Sequence, residues 1–282
     1  MDKQLIHQFI VKALSEDVGD GDHTSLATIE AGTKGKAKLL VKDTGVLAGV
    51  ELALAIFEEV DPNLQVDVLL NDGAEVKPKD IAFTVEGDAQ SILKAERLVL
   101  NCMQRMSGIA TKTREITDLL EGTNTKVLDT RKTTPGMRYL EKWAVRIGGG
   151  VNHRIGLYDM ILIKDNHVDY SGGIRQAIEN ANNYLKETGK KLAIEIEVRN
   201  LEELEEVLQT GNVNRIMLDN FSFDNLRQAV GMIEGRYTTE ASGGITEENI
   251  KDYANCGVDY VSVGALTHSV KSLDLSLKAV KL

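Results

Sequence analysis

The amino-acid sequence predicts an α/β protein whose second part is built on a parallel sheet. After residue 110, short β-branched runs alternate with longer segments of helical apolar spacing, which is typical of repeated βα units. Six of these runs are strand candidates, and each ends at or near a residue able to bind a ligand or do chemistry. Active sites of α/β barrels lie at the carboxyl ends of the strands. The two observations favour an α/β barrel with few strands, and an open doubly wound sheet is the alternative.

The part of the chain before residue 110 has a different pattern. Strand-like runs occur at 37–41, 64–70 and 81–85, with turn-forming residues around them. The stretch 89–106 carries apolar residues at helical spacing and predicts a helix. Arg97 falls on the opposite face of this helix, where the pattern alone indicates an ordinary solvated charge.

The second part divides into strands and helices in strict alternation. Its strand candidates are 126–128, 160–163, 192–198, 215–218, 237–241 and 260–263. Helical segments lie at 173–185, 201–208, 223–233 and 247–255. The last three helices are preceded by Asn200, Ser222 and Thr246, whose side chains can cap a helix N-terminus.

The residues at the six strand ends are mostly charged, small or hydroxyl-bearing. In chain order they are Arg131 with Lys132, Lys164, Glu197, Asp219, Ser242 with Gly243 and Gly244, and Gly264. The rim of a barrel is polar in any case, so one such residue carries little weight. Six in succession favour an active site over a purely structural sheet.

Charge restricts the class of ligand. The 282 residues carry a formal charge of −10, which argues against nucleic acid as a partner, because phosphate backbones bind clustered surface cations. Cations nevertheless gather in segments 129–136, 153–154 and 164–167, where apolar runs end. These segments predict a local site for a polyanionic ligand.

Cysteine usage and hydropathy indicate the compartment. Cys102 and Cys256 lie far apart without CxxC neighbours, so they predict neither a zinc site nor a disulfide framework. The first eight residues lack the apolar core of a signal peptide, and no apolar run approaches the roughly 20 residues that span a bilayer. We therefore expect a cytoplasmic protein with no membrane partner.

Two glycine segments open helices directly after strands. In Ser242-Gly243-Gly244 and in Val263-Gly264, the absence of a side chain lets a ligand approach backbone N–H groups, which bind phosphate at such turns. The late βα loops of barrels often hold phosphate groups. Tight turns also need glycine for backbone reasons alone, and the pairing at successive strands strengthens the phosphate interpretation.

Short motifs along nearly the whole chain identify a family. They are Glu96-Arg97, Thr130-Arg131-Lys132-Thr133, Gly149-Gly150-Val151-Asn152-His153-Arg154, Ile163-Lys164-Asp165-Asn166-His167, Glu195-Ile196-Glu197-Val198, Leu218-Asp219-Asn220 and Glu240-Ala241-Ser242-Gly243-Gly244, with further matches at 16–25 and 264–269. In this combination the chain resembles nicotinate-nucleotide pyrophosphorylase (carboxylating), also called quinolinate phosphoribosyltransferase. Each motif is weak alone, but their order is specific.

The resemblance implies a fold, a reaction and an assembly. The fold would be an N-terminal α/β sandwich at 1–111, joined by 270–282, beside an incomplete, TIM-like α/β barrel at 112–269. The reaction joins quinolinate to phosphoribosyl pyrophosphate and gives nicotinate mononucleotide, pyrophosphate and carbon dioxide, a step of NAD biosynthesis. It requires Mg²⁺. Two subunits at least would pair, so that Arg97 of one reaches the active site of the other.

The resemblance also implies residue roles. Planar guanidinium groups suit the two carboxylates of quinolinate, and the substrate-binding set would be Arg97, Arg131, Lys132, His153, Arg154 and Lys164. The catalytic set would be Lys132, Lys164, Glu197 and Asp219, with Glu197 and Asp219 also binding ribose hydroxyls and magnesium. The phosphate-binding set would be Ser242, Gly243, Gly244, Gly264 and His268. His167 either supports these residues or satisfies a nearby backbone group.

Three alternatives stay open at this stage. Glu197 and Asp219 could form an acid/base pair as in glycoside cleavage, although a phosphoribosyl transfer needs no such pair. The chain could be a paralogous transferase for another acidic ring, such as the quinolinate-transferase-like proteins associated with molybdate transport genes. It could also be a barrel that binds a phosphosugar without turnover.

Overall fold

The computed structural model describes residues 3–280, and the chain forms two compact units. The first unit comprises Met1–Arg114, Thr134–Gly149 and Ser269–Leu282, and the second comprises Glu115–Thr133 and Gly150–His268. Residues 1–2 and 281–282, which fall in the predicted ranges 1–111 and 270–282, lie outside the described residues.

Segment 134–149 groups with the first unit, which differs from the predicted range 112–269 for a single barrel domain. Within this unit, Arg105 Nη2 donates to Glu141 Oε1 at 2.8 Å, and Glu141 is fully buried. Gly148 lies against the backbone of Ala110, where a side chain would not fit. These contacts with residues 105–110 tie the segment to the first unit.

The first unit is built on an antiparallel sheet. Its helices are α1 (Lys3–Val18), α2 (His23–Thr28), α3 (Val50–Val60), α5 (Arg138–Ile147) and most of α4 (Ala89–Leu119). Its strands are β1 (Lys34–Val41), β2 (Gly45–Val46), β3 (Gln65–Val68), β4 (Glu75–Val76), β5 (Ile81–Asp88) and β12 (Leu275–Val280). The main sheet has the order β12-β1-β5-β3, so the end of the chain pairs with β1.

The core of this unit follows from alternation along β1 and from the apolar face of α3. Alternate residues of β1 are buried, among them Leu39 and Val41. Phe57 of α3 meets Phe83 of β5 edge to face, with ring centroids 5.8 Å apart. The three predicted strand runs are confirmed as β1, β3 and β5, and the predicted helix 89–106 is confirmed but continues to Leu119. Arg97 is exposed on that helix, as its pattern indicates.

The second unit is an incomplete α/β barrel. Its strands are β6 (Lys126–Leu128), β7 (Ile161–Ile163), β8 (Ile194–Val198), β9 (Arg215–Asp219), β10 (Thr238–Ser242) and β11 (Tyr260–Ser262). Its helices are α6 (Asp165–Ser171), α7 (Ile174–Thr188), α8 (Leu201–Thr210), α9 (Phe223–Ile233), α10 (Ile250–Asn255) and α11 (Ala265–His268). All pairings in the order β6-β11-β10-β9-β8-β7 are parallel.

This strand order distinguishes the two predicted topologies. Strands β7 to β11 follow one another in chain order, and β11 returns beside β6, as in a barrel that stays open between β6 and β7. In a doubly wound sheet the order of the strands would instead reverse at a point within the sheet. The barrel prediction and all six strand candidates are therefore confirmed.

Two of the three predicted helix caps are confirmed. Asn200 Oδ1 accepts from the Glu203 N–H at 2.8 Å, and Ser222 is the N-cap of α9. The prediction for Thr246 was wrong, because α10 begins at Ile250 with Asn249 as N-cap. Asn249 Oδ1 accepts from the Thr246 N–H at 2.8 Å, so the asparagine closes a turn and delays the helix by three residues.

Between residues 3 and 280, none of the helices combines the length and the apolar character needed to cross a bilayer.

Candidate active site

A cavity of about 810 Å³ opens at the carboxyl ends of the parallel strands of the second unit. It falls in the size range of small-molecule sites, roughly 300–1,000 Å³. It is lined by every predicted site residue of that unit: Arg131, Lys132, His153, Arg154, Lys164, Glu197, Asp219, Ser242, Gly243, Gly244, Gly264 and His268. Arg97 belongs to the first unit, and its predicted contact with a partner's site stays a prediction.

One side of the cavity is a pair of guanidinium groups. Arg154 is buried, with 8% of its surface exposed, and its Nη1 donates to Met160 O at 3.2 Å. Burial, followed by the neighbouring charge of Arg131, lowers the pKa of Arg154. Among the described residues, no group accepts a hydrogen bond from Arg154 Nε, which is buried. A ligand with carboxylates would reduce the repulsion between Arg131 and Arg154 and accept a hydrogen bond from Arg154 Nε.

A buried aspartate holds the segment that carries Arg154. Asp129, at the end of β6, is fully buried. Its Oδ1 accepts from the His153 N–H at 2.8 Å, and its Oδ2 accepts from Asn152 Nδ2 at 2.6 Å. Because both carboxylate oxygens bind this segment, Asp129 fixes its path past the cavity.

The imidazole of His153 also makes contacts within the protein. Its Nδ1 accepts from the Arg154 N–H at 2.8 Å, so the ring carries its proton on Nε2, which lies 2.7 Å from Glu195 Oε2. The sequence predicted a contact with a substrate carboxylate instead. These bonds use both ring nitrogens and place His153 as support for Arg154.

Two glutamates, the deep pair Glu195 and Glu240, lie inside the barrel and are fully buried. Arg215 Nη1 donates to Glu240 Oε2 at 3.1 Å. Burial raises the pKa of both carboxyl groups, and for Glu240 burial and the adjacent Glu195 raise it to about 8. With His153 the pair has the spacing of a metal site, its ligand atoms lying within 4.8 Å of one another. Arg154 and Arg215, whose positive charges act on these glutamates, favour a protonated cluster over a bound divalent cation.

Two other carboxylates, the rim pair Glu197 and Asp219, end strands β8 and β9. Glu197 Oε2 accepts from Lys164 Nζ at 2.6 Å, and Asp219 Oδ2 accepts from Asn220 Nδ2 at 2.6 Å. Both line the cavity. Carboxylate oxygens are hard ligands, and Mg²⁺ is commonly held by one or two of them together with substrate phosphates. The rim pair therefore fits magnesium.

The glycine loops bring side chains close together. A Cβ at Gly264 would lie 3.1 Å from Lys132 Cδ and 3.2 Å from His268 Nε2, so glycine allows both side chains to reach the same edge of the cavity. Thr267 Oγ1 donates to Lys132 O at 2.8 Å and holds that backbone in place. This edge carries donors and a cation, which suits a phosphate group.

Of the two roles predicted for His167, the structure shows the bond to a nearby backbone group. Its Nδ1 accepts from the Lys164 N–H at 3.0 Å, so the ring satisfies a nearby backbone group. It contributes to the site by shaping the start of α6.

Sequence reasoning missed Asp129, Glu240 and Asn220 as lining residues. The sequence carries a weak signal for buried glutamates such as Glu195 and Glu240. A charged residue inside an otherwise apolar strand, as in Glu195-Ile196-Glu197-Val198, must have a buried partner. No comparable signal identified Asn220, whose conformation depends on the strand that follows it.

Comparison with known proteins identifies the family of this chain. The family model described as quinolinate phosphoribosyl transferase, C-terminal domain, matches residues 109–278, and the model of the N-terminal domain matches residues 22–107. Together they match most of the chain.

Individual relatives agree with this match. The chain is 47% identical over 282 residues to quinolinate phosphoribosyltransferase (decarboxylating) 2, mitochondrial, of Nicotiana glauca, covering 94% of this chain and 80% of that protein. It is 42% identical over 275 residues to a probable nicotinate-nucleotide pyrophosphorylase (carboxylating) of Bacillus subtilis (strain 168), covering 98% and 92%. The structure of the nicotinate-nucleotide pyrophosphorylase from Francisella tularensis superposes with a TM-score of 0.92 at 37% identity, covering 99% of this chain and 98% of that one.

Proposed function

We propose that this chain, which belongs to the quinolinate phosphoribosyltransferase family, transfers the phosphoribosyl group of phosphoribosyl pyrophosphate to quinolinate with decarboxylation. The products are nicotinate mononucleotide, pyrophosphate and carbon dioxide, and the reaction serves NAD biosynthesis. The observation that carries the proposal is a cavity that combines the buried guanidinium group of Arg154, the exposed one of Arg131, two rim carboxylates and glycine loops at parallel strand ends.

Arg131 and Arg154 are proposed to hold the two carboxylates of quinolinate. A planar guanidinium can form two parallel hydrogen bonds to a carboxylate, and the buried, unsatisfied Nε of Arg154 is a donor available for this purpose. The bonds from Asp129 and His153 keep the Arg154 segment in place before the substrate arrives. Quinolinate therefore meets a preorganised site, which reduces the entropy lost on binding.

The opposite edge of the cavity is proposed to bind the phosphosugar. Ser242, Gly243, Gly244, Gly264 and His268 would surround the 5-phosphate. Lys132 and Lys164 would contribute point charges to the pyrophosphate or bridge the two substrates, and the rim pair would bind ribose hydroxyls.

Magnesium is proposed as the cofactor, held by Glu197 and Asp219 together with oxygens of the pyrophosphate. When bound, it would neutralise charge on the departing pyrophosphate. The protein supplies the carboxylates, with Lys164 and Asn220 orienting one each.

The chemistry requires positioning more than a nucleophilic side chain. The pyridine nitrogen attacks the sugar carbon as pyrophosphate leaves, and the rim pair favours the positive charge that develops on the sugar. The electron pair of the breaking carbon–carboxylate bond then stays on the ring carbon next to the alkylated nitrogen, carbon dioxide departs, and that carbon takes up a proton to give nicotinate mononucleotide. No covalent enzyme intermediate forms. The contribution of the protein is proximity and charge.

A homodimer or larger homo-oligomer is proposed as the working state, with Arg97 completing the partner's quinolinate site. Arg97 is exposed on α4, which agrees with a role outside its own subunit. Mixing Arg97→Ala protein with Arg154→Ala protein should restore part of the activity, because one site of each mixed dimer would carry both arginines. Mixed dimers that form but stay inactive would exclude this role for Arg97.

A reducing compartment such as the cytoplasm is proposed for the protein. Cys102 and Cys256 are buried free thiols, which agrees with an environment in which disulfides do not form.

The proposed function is tested by incubating the purified protein with quinolinate, phosphoribosyl pyrophosphate and Mg²⁺, and measuring nicotinate mononucleotide and pyrophosphate. Nicotinate serves as the parallel substrate. Product from quinolinate alone supports the proposal. Product from nicotinate alone would keep the phosphoribosyl site and exclude the dicarboxylate site, and absence of product from both would exclude the transferase.

A further inference from the structure

Asn220 has an unusual backbone conformation at the rim of the cavity. It follows the last residue of β9 and has φ 56°, in the left-handed region. Asparagine is the residue that tolerates this region best after glycine. The Asn220 N–H donates to Ser242 O at 2.8 Å, which ties this turn to the end of β10.

The left-handed turn permits a contact that an extended strand forbids. Successive side chains of a strand point to opposite faces, so neighbours in sequence do not meet. At Asn220 the turn brings the amide back to its neighbour, and Nδ2 donates to Asp219 Oδ2 at 2.6 Å. The bond uses one carboxylate oxygen of Asp219 and leaves Oδ1 for a ligand.

Gly243 provides the space for this amide. A Cβ at Gly243 would overlap the Asn220 side chain and would also lie 3.0 Å from the Asn220 backbone nitrogen. Gly243 has φ 93°, a second reason for glycine at this position. The glycine that the sequence assigned to phosphate binding therefore also makes room for Asn220.

We propose that Asn220 is a positioning residue, whose amide holds the Asp219 carboxylate in the orientation that binds phosphoribosyl pyrophosphate with its magnesium. This inference rests on the proposed function. It assigns to Asn220 the role that outer hydrogen-bond partners of ligating carboxylates have in metal sites. Asn220 supports the phosphosugar edge only, so the quinolinate edge at Arg131 and Arg154 should not depend on it.

The test is Asn220→Gly, which keeps the left-handed backbone available and removes only the amide. We expect kcat/KM for phosphoribosyl pyrophosphate to fall by about 10- to 100-fold, the usual effect of losing such a partner. Calorimetric binding of phosphoribosyl pyrophosphate with Mg²⁺, measured without quinolinate, should weaken by a similar factor. The KM for quinolinate and the Tm should stay close to those of the unsubstituted protein.

Asn212→Gly is the matched control. Asn212 has φ 60° and precedes the first residue of β9, at the end of the strand away from the cavity. It should leave both kinetics and binding unchanged. In Asn220→Asp the left-handed turn is again tolerated, but a second carboxylate faces Asp219, so binding should fall at least as far as in Asn220→Gly.

Two results would overturn the inference. One is unchanged binding of phosphoribosyl pyrophosphate in Asn220→Gly, with any effect limited to Tm, which would make Asn220 a turn residue only. The other is equal weakening of quinolinate and phosphoribosyl pyrophosphate. A failure of the proposed function is separate, because the unsubstituted protein would then form no nicotinate mononucleotide, and the binding comparison would still decide the role of Asn220.

Discussion

The deep pair of carboxylates lies on β8 and β10 and the rim pair on β8 and β9, yet their surroundings differ. Glu195 and Glu197 are two residues apart on β8, on the same face and separated by roughly 7 Å along the strand. The deep pair is fully buried, and its members contact each other, His153 and Arg215. The rim pair contacts Lys164 and Asn220 at the cavity wall.

This comparison shows that depth along a strand determines what a carboxylate can do. A group at the strand end can exchange a protein partner for a ligand, whereas a fully buried group one pleat deeper is held by protein partners such as His153 and Arg215. We therefore expect substitutions in the deep pair to affect stability and substitutions at the rim to affect turnover.

The largest effect is expected from Glu240→Ala. This substitution leaves the partly buried Arg215 without its carboxylate and opens a cavity in the barrel. Loss of the hydrogen bond to the charged Arg215, together with the cavity left by the side chain, costs about 3–5 kcal/mol of unfolding free energy. Urea denaturation should show this loss, and Glu240→Gln, which keeps the shape and the hydrogen bonds, should lose much less. Equal stability of Glu240→Ala and the unsubstituted protein would remove the distinction between the two pairs.

The next effect is expected at the rim. Glu197→Gln keeps the size of the side chain but removes the charge that pairs with Lys164 and that we propose favours the developing positive charge on the sugar. We expect kcat to fall by about 10²–10³-fold, as for loss of a preorganised electrostatic group, with little change in unfolding free energy. Steady-state kinetics measure the loss. Glu202→Gln, on the exposed face of α8, is the control. A destabilised but fully active Glu197→Gln would reverse the assignment.

A third prediction concerns the cations that face the rim. Arg131→Lys replaces a planar fork by a point charge, so quinolinate affinity should fall by about 1.5–3 kcal/mol. The binding of phosphoribosyl pyrophosphate should change little, because Arg131 belongs to the quinolinate edge. Calorimetric titration of each substrate measures both affinities, and unchanged quinolinate binding would exclude the clamp.

Taken per pH unit, the smallest effect is the dependence of stability on the protonation of the deep pair. Burial raises the pKa of Glu240 from an ordinary 4.5 to about 8, so the folded protein holds a proton that the unfolded chain releases. The stability from this proton is fully present below pH 4.5 and is lost as the pH rises towards 8. Its slope is at most about 1.4 kcal/mol per pH unit. The difference in unfolding free energy between the unsubstituted protein and Glu240→Gln should fall across this window, and a constant difference would contradict a raised pKa.

Much of the fold could be predicted because its signals are local. Each of the six barrel strands is a short apolar run bounded by turn residues, and the caps at Asn200 and Ser222 depend on residues within one helical turn. Thr246 shows the limit of such signals, since Asn249, three residues on, also offers a side chain to the backbone and closes the turn. Local rules cannot rank two competing caps without the loop that holds them.

Much of the site could be predicted for a related reason. A parallel sheet brings all its carboxyl ends to one edge, so residues such as Arg131, Lys164 and Asp219 meet once the strands are known. The prediction for His153 differed from the structure because its contact with Glu195 crosses between chain segments 42 residues apart. The role of Arg97 in a partner's site stays a prediction, because a single chain does not supply a second subunit.

The sequence by itself determined the α/β class, six strand candidates and the chemical types that follow them, because these depend on periodicity and on residues close together in the chain. Tertiary structure decided which carboxylates are buried with Arg215, how Asn220 turns back onto Asp219, and that segment 134–149 belongs with the first unit. Each of these depends on the register and packing of segments distant in the chain, and local preferences do not encode such register.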